Sequence, residues 1–483
     1  MLFNSFSFLI FFAALVVVYY LVPHRFRWIL LAVASLYFYA NFNVNYVLLL
    51  VACMLVAYSA GWAVARTEKP VNRKLVLVTG AIVSLLPLFV FKYFNFFAAS
   101  LGDLLTTAQV TQDPALPRLD WLLPAGLSFY TFSCLSYLFD VYQSKLSAER
   151  HLGRFMVYVS FFPKLLAGPI ERATSFLPQL VKPVRFDPEQ VTLGLQQMLW
   201  GLFKKMAIAD RLSAFVDPVY LHPAFSSPVA LIIASYFFAF QIYCDFSGYS
   251  DIAIGAARVL GFDLMENFRR AYLATSVPEF WGNRRWHISL SRWFRDYMYF
   301  PMGGSRVSKP RFYFNQMAVF LVSGLWHGAN WTFVIWGGLN GVYQILTLAT
   351  EGIRERLGRI LRVPNVIGSL LGALVTFHLV TIAWVFFRAA SIEDALAVFS
   401  RVAGSFPRLP TLLSSYTYTE DIITSAVLIG VLLVIELLDE HRMFWEKLRV
   451  RPVHVRWAVY YALIFGLIIL GKWGFKQFVY MQF

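Results

Sequence analysis

Apolar runs of about twenty residues, separated by short polar or basic stretches, recur along the whole chain. A helix needs a run of that length to cross the hydrocarbon core of a bilayer. The runs fall at 5–22, 28–43, 45–64, 75–92 and 121–142, then at 228–244, 247–262, 314–330 and 332–350, and finally at 366–387, 421–438 and 458–480. The pattern predicts an all-α, polytopic membrane protein with about ten to twelve transmembrane helices. The pair at 228–262 is interrupted by CDFSGYSD and reads as a re-entrant or broken helix pair, which leaves the count a range. The stretches 145–225 and 263–313 contain no obvious span but are rich in aromatics, so they read as re-entrant or interfacial helices around a central funnel or tunnel. No polar stretch is long enough to form a soluble module. The chain therefore reads as a single membrane domain over 1–483, with N-terminal helices to 143, a core over 144–350 and C-terminal helices over 351–483.

The charges between the runs orient this map. Arg25 and Arg27 follow the first run. Arg66, Lys69, Arg73 and Lys74 follow the third, and Lys145, Arg150 and Arg154 the fifth. Arg354, Arg356, Arg359 and Arg362 precede the run at 366, and Arg442, Lys447, Arg449, Arg451 and Arg456 the last. Basic loops face the cytoplasm, which places the N-terminus outside and loop 66–74 inside. The loop carrying Asp103, Asp113 and Asp120 reads as external. The first run has no basic residue before it and no small-residue cleavage site, so it does not read as a signal peptide.

Composition agrees with a lipid solvent. The chain is 59% hydrophobic and 14% charged, where a soluble domain carries about 25% charged residues. The net charge of +15 fits cytoplasmic loops and anionic lipid. Nucleic-acid binding would need a clustered basic face with a reading motif, and the sequence has neither. Cys53, Cys134 and Cys244 lie in apolar runs without metal-ligand or CxxC spacing, so they read as small buried residues, Cys244 included despite its neighbour Asp245. No metal site is expected. Phosphate-cradling glycine motifs and HExxH are missing from the sequence, as is any evident repeat of the kind found in many transporters.

Polar groups within apolar runs are costly and point to function. They concentrate in three segments. QIYCDFSGYSDIAIG, 241–255, brings Asp245, Ser247, Tyr249, Ser250 and Asp251 between two apolar runs. It reads either as a short external loop or as the polar wall of a substrate cavity. PEFWGNRRWHISLSRWFRDYMYFPMGG, 278–304, spaces Arg285, Trp286, Trp293 and Phe300 near seven apart, as on an interfacial amphipathic helix. Arg292 and Asp296 stand four apart and can pair. A helix of that kind does not itself account for His287, which shares a face with Ser291. SGLWHGANWTFVIWGG, 323–338, sets His327 in an apolar run, with Trp326 beside it and Ser323 and Asn330 at helical spacing. A lone buried histidine is commonly structural, but Gly324 and Gly328 would leave room beside this ring for a ligand. Gly337 and Gly341 form a GxxxG, a weak sign of close helix packing.

These segments, with FFPKLLAGPIER (161–172) and the tail QFVYMQF (477–483), together resemble the bacterial membrane-bound O-acyltransferases, most nearly those serving alginate O-acetylation. The likeness covers nearly the whole chain. One departure is FWGNRRWH, where Gly282 and Asn283 stand as an apparent insertion before the family's RRWH. The resemblance implies that His327 is the catalytic histidine and His287 the second histidine. Apart from the resemblance, so many central polar groups require a water-filled cavity, a funnel or tunnel lined by residues of 241–251, 283–297 and 323–331, with Asp245, Ser247, Tyr249, Asp251, Trp286, Ser323, Trp326 and Asn330 binding substrate or lining it. The resemblance also implies an acyl thioester donor such as acetyl-CoA on the cytoplasmic side, no bound cofactor, and residence in a bacterial inner membrane. Periplasmic acetyltransferase partners would complete the transfer to an exported polysaccharide such as alginate. The alternatives are D-alanyl transfer to teichoic acid and, in a different class, a transporter or channel. The residue chemistry supports the enzymatic reading separately. Passing an acyl group from a thioester to a hydroxyl needs a base, and neutral imidazole suits that task near pH 7. A direct transfer needs no enzyme nucleophile, although Ser323 with His327 would permit a covalent route. Asn330 and the tryptophan N–H groups are of the right kind to hold a thioester oxyanion.

Overall fold

A computed structural model describes residues 1–110, 116–282, 284–438, 444–473 and 478–479. Asp113, the apparent insertion at Asn283 and the tail residues 477 and 480–483 lie outside the described residues. All regular structure among the described residues is helical. Seven helices there are long and apolar enough to cross a membrane, and Phe6–Leu21 is a shorter apolar one. The chain divides into two compact units, Met1–Thr192 with Ala256–Met265, and Leu193–Gly255 with Glu266–Gln482.

In the first unit, Ser5 accepts from Phe8 N–H (3.2 Å) to cap Phe6–Leu21. Three further helices follow, His24–Ala40, Asn45–Arg66 and Pro70–Leu88. The last passes through a π turn, Phe89–Tyr93, into Phe94–Thr107. Leu127–Tyr142 is buried along most of its length. It can pack closely because a Cβ on Gly61 would lie 2.5 Å from the Tyr137 ring. The expected re-entrant segment begins here as short helices, Leu152–Ser160, Phe162–Leu165 and Ala173–Val181. Lys164, from FFPKLLAGPIER, is buried with its ammonium 4.7 Å from the Tyr158 ring centre.

The second unit is organised around Pro228–Val259, which belongs to it through Gly255. Here the structure corrects the sequence expectation. CDFSGYSD does not break the chain into two segments or an external loop; it lies in the middle of one helix of 32 residues. At about 1.5 Å per residue that helix is about 48 Å long, more than the hydrocarbon thickness of about 30 Å. The polar turn stays helical because its carboxylates are met by lysines from a neighbouring helix. Backbone contact makes that possible. A Cβ on Gly201 would lie 2.6 Å from Gly248 O, and one on Gly255 would lie 2.5 Å from Gly194 O. Glycines seven apart on each of the two helices thus face one another.

Lys309–His327 and Trp331–Ala349 form the second close-packed pair. Gly324 and Gly337 meet face to face, and a Cβ on Gly337 would lie 2.4 Å from Phe320 O. A Cβ on Gly341 would lie 2.9 Å from the Met317 sulfur. The GxxxG therefore does pack helices. The expected passage beside His327 is filled instead, since a Cβ on Gly324 would lie 2.3 Å from Phe333 O and one on Gly328 2.1 Å from the Phe333 ring. The segment 278–304 is not one amphipathic helix either. It is Val277–Trp281, a bend, Ile288–Phe294 and a π turn Arg295–Tyr299. Trp286 and His287 are fully buried in that bend, because the bend turns its aromatics into the unit and not toward an interface.

Candidate functional site

His327 is the last residue of its helix. Gly328 then runs extended, and Asn330 caps Trp331–Ala349 by accepting from Thr332 N–H (3.0 Å). The expected shared face of Ser323, His327 and Asn330 therefore ends at His327, because the helix stops there. Asn330 instead ties the turn down by donating Nδ2–H to Ala390 O (3.0 Å). Ser323 lies one turn before His327 and is half-buried. The His327 ring stands edge-on to Trp336 (centroids 5.0 Å) and Trp326 (4.9 Å), with Phe387 at 5.6 Å.

His287 comes from the bend, forty residues earlier in the chain. Its φ of +42° is left-handed, a costly conformation for a non-glycine residue that recurs at functional sites. Its ring centroid lies 6.2 Å from that of His327 and 4.6 Å from Phe246, which it meets edge-on. Trp286 stacks on Phe280 and packs against Trp384 (5.1 Å), which stacks on Trp336 (5.4 Å). Two histidines thus share one aromatic enclosure. The indole N–H groups of Trp286, Trp336 and Trp384 are buried there with no hydrogen-bond partner among the described residues.

Burial pushes the His287 pKa down to about 3, so its imidazole is neutral. In the sequence, Arg285 and Arg292 flank His287 as positive charges that would disfavour a charged imidazole. In the structure burial is the cause, and Arg285 is paired. It forks onto Glu279 (2.9 and 2.5 Å), which also accepts from Thr275 N–H (2.7 Å). Burial opposes the Glu279 charge, yet these donors outweigh it and hold the carboxyl below its ordinary value. Asp296 is held by Arg295 at 2.8 Å.

The 241–255 segment presents different faces to different neighbours. Tyr243, Phe246 and Ser250, spaced three and four apart, look toward the bend. Tyr243 packs on Trp286 (5.9 Å), and Ser250 accepts from Asn267 Nδ2–H (3.3 Å). Asp245 binds Lys205 (2.6 Å), which also reaches Asp210 (2.9 Å). Asp251 binds Lys204 (2.5 Å), which also donates to Ser247 (2.8 Å). The second Asp245 oxygen accepts from Val479 N–H (2.7 Å), Phe478 covers Lys205 (4.4 Å), and Tyr249 meets Phe478 edge-on (4.9 Å). These groups are almost entirely buried. Sequence reasoning found the acids and missed Lys204, Lys205 and Asn267. The available signal was a lysine pair inside the apolar stretch GLFKKMAIA, within the same core as two aspartates.

Among the described residues no group of three or more His, Cys, Asp or Glu is placed to hold a metal ion. Cys53, Cys134 and Cys244 are free and buried.

The sequence profile described as "MBOAT, membrane-bound O-acyltransferase family" matches residues 30–387. A protein named probable alginate O-acetylase, from Azotobacter vinelandii, is 37% identical over 83% of this chain and 77% of its own length. A peptidoglycan O-acetyltransferase of Helicobacter pylori is 34% identical over 77% of this chain and 73% of its own. A teichoic acid D-alanyltransferase of Bacillus subtilis is 24% identical over 65% of this chain and 78% of its own.

Proposed function

The chain belongs to the membrane-bound O-acyltransferase family, and we propose that it moves an acetyl group from a cytoplasmic thioester, such as acetyl-CoA, across a bacterial inner membrane. The group serves the O-acetylation of an exported polysaccharide, with alginate the first candidate and periplasmic acetyltransferases completing the transfer. The observation that carries this reading is the meeting of His327 and His287, rings 6.2 Å apart, in a buried aromatic enclosure.

The chemistry is direct. The acceptor hydroxyl attacks the thioester carbonyl while neutral His327 takes its proton. The tetrahedral intermediate collapses, the carbon–sulfur bond breaks, and the imidazolium returns the proton to the departing thiolate. Low polarity strengthens any donor aimed at the developing oxyanion, and the indole N–H groups of Trp286, Trp336 and Trp384 are the candidates. Asp245 and Asp251, matched to Lys205 and Lys204, build the wall of the site and do not react. Segments 241–251, 283–297 and 323–331, of which Asn283 lies outside the described residues, line the route on this reading, with Ser247, Tyr249, Ser323 and Asn330 along it.

The test is transfer of label from radiolabelled acetyl-CoA by membranes carrying the protein. Transfer lost with His327→Ala and strongly reduced with His287→Ala, both variants remaining in the membrane, is the expected result. Label accepted only from a D-alanyl carrier-protein thioester would replace this reading with D-alanyl transfer. Solute movement that needs no thioester would replace it with transport.

A further inference from the structure

Asn267 lies in the loop after Pro228–Val259 and is fully buried. Its main-chain oxygen accepts from Ile288 N–H (2.9 Å). Its side-chain Oδ1 accepts from Ser289 N–H (3.2 Å) and from the Ser289 hydroxyl (2.9 Å). These contacts cap Ile288–Phe294 from outside, since His287 itself supplies no side-chain cap.

The same contacts fix a proton. A backbone N–H only donates, so the side-chain atom facing Ser289 N–H is the amide oxygen and not the nitrogen. The nitrogen, Nδ2, donates instead to Ser250 (3.3 Å). That oxygen also lies 3.1 Å from His287 Nδ1. A carbonyl oxygen cannot donate, so the hydrogen belongs to Nδ1. A neutral imidazole carries one N–H, and Nε2 therefore keeps its lone pair. The alternative tautomer would set two lone pairs against each other in a buried site, which is costly.

We propose that Asn267 is a positioning residue that locks His287 as the Nδ1–H tautomer and so makes Nε2 of His287 a hydrogen acceptor at the reacting centre. The catalytic consequence rests on the acyl-transfer reading; the tautomer does not. In the reaction, Nε2 accepts a hydrogen bond from a second donor group of the acceptor, beside the attacking hydroxyl, and so holds that hydroxyl in place while its own single proton goes to His327. No other residue needs to change protonation for this.

The test is spectroscopic. Protein with ¹⁵N-labelled histidine is placed in lipid nanodiscs, and the His287 signals are identified by their loss in His287→Gln. Nδ1 giving the signal of a protonated nitrogen and Nε2 that of a lone-pair nitrogen is the expected result. The reverse assignment overturns the proposal whatever the activity. Asn267→Asp keeps both the cap and the acceptor and should keep the tautomer. Asn267→Leu should release it into a mixture and lower label transfer from acetyl-CoA by about 10–100-fold, the cost of removing a partner that orients a histidine in metal sites. A correctly folded Asn267→Leu protein with unchanged histidine signals would also overturn it. If wild-type protein transfers no label, the acyl-transfer reading falls, while the nitrogen signals still decide the tautomer.

Discussion

At the scale of single residues, His287 stood out because an interfacial helix does not itself account for an imidazole among tryptophans. His327, which alone would pass for a structural histidine, stood out through its flanking glycines and the family resemblance. Asn267 did not stand out. In MENFRR it looks like any loop amide, and only the fold places it against His287 Nδ1. The buried state of His287 has a consequence for pH. Its pKa falls from 6.5 to about 3 on burial, so in that window the unfolded chain binds a proton that the folded protein does not. Stability therefore rises with pH across the window and is lost as pH falls through it. We expect the melting temperature of the detergent-solubilised protein to drop as pH is lowered from about 6 toward 4, and His287→Gln to show a shallower drop. Parallel curves for the two proteins would show that His287 is not buried neutral.

At the scale of elements, the apolar runs located the helices well. They failed where polar residues are neutralised by partners remote in sequence. The run 228–262 read as a broken pair because two aspartates and two serines crowd its middle. The helix persists because Lys204 and Lys205 arrive opposite them across the Gly201–Gly248 contact. Removing one partner of a buried ion pair typically costs about 3–5 kcal/mol. Lys205→Met, which abandons both Asp245 and Asp210, should destabilise the protein by about that amount, read as a lowered melting temperature in detergent. An unchanged melting temperature would mean that the acids are neutral or solvated. The hairpin bearing His327 depends on bare backbone, since a Cβ on Gly337 already falls 2.4 Å from Phe320 O. Gly337→Val should therefore prevent the two helices from closing and abolish stable accumulation, whereas Gly352→Ala, with nothing within 4 Å of its Cβ, should be neutral. Equal accumulation of both would contradict the close crossing.

At the scale of the whole molecule, the sequence carried the all-α membrane class because the bilayer admits few other solutions. The family followed from long motifs spread over the chain. What it could not carry was which motif meets which, since contacts such as His287 with His327 depend on the fold. Topology gives the first whole-molecule test. Lys69, in the turn between Asn45–Arg66 and Pro70–Leu88, is expected on the cytoplasmic face. A cysteine introduced there by Lys69→Cys in a cysteine-free background should resist an impermeant reagent added from the periplasm, and ready labelling would invert the map. The central claim is that His327 is the base of an acyl transfer, and general-base catalysis is typically worth about 10²–10⁴-fold in rate. The most direct measurement compares wild-type and His327→Gln protein, purified into lipid vesicles, for release of free CoA from acetyl-CoA in the presence of mannuronate oligosaccharides and isolated periplasmic acetyltransferase partners. The account predicts acceptor-dependent release by the wild type and a loss of at least about a hundredfold in His327→Gln, with the variant melting at the wild-type temperature. Wild-type rates from folded His327→Gln would contradict it.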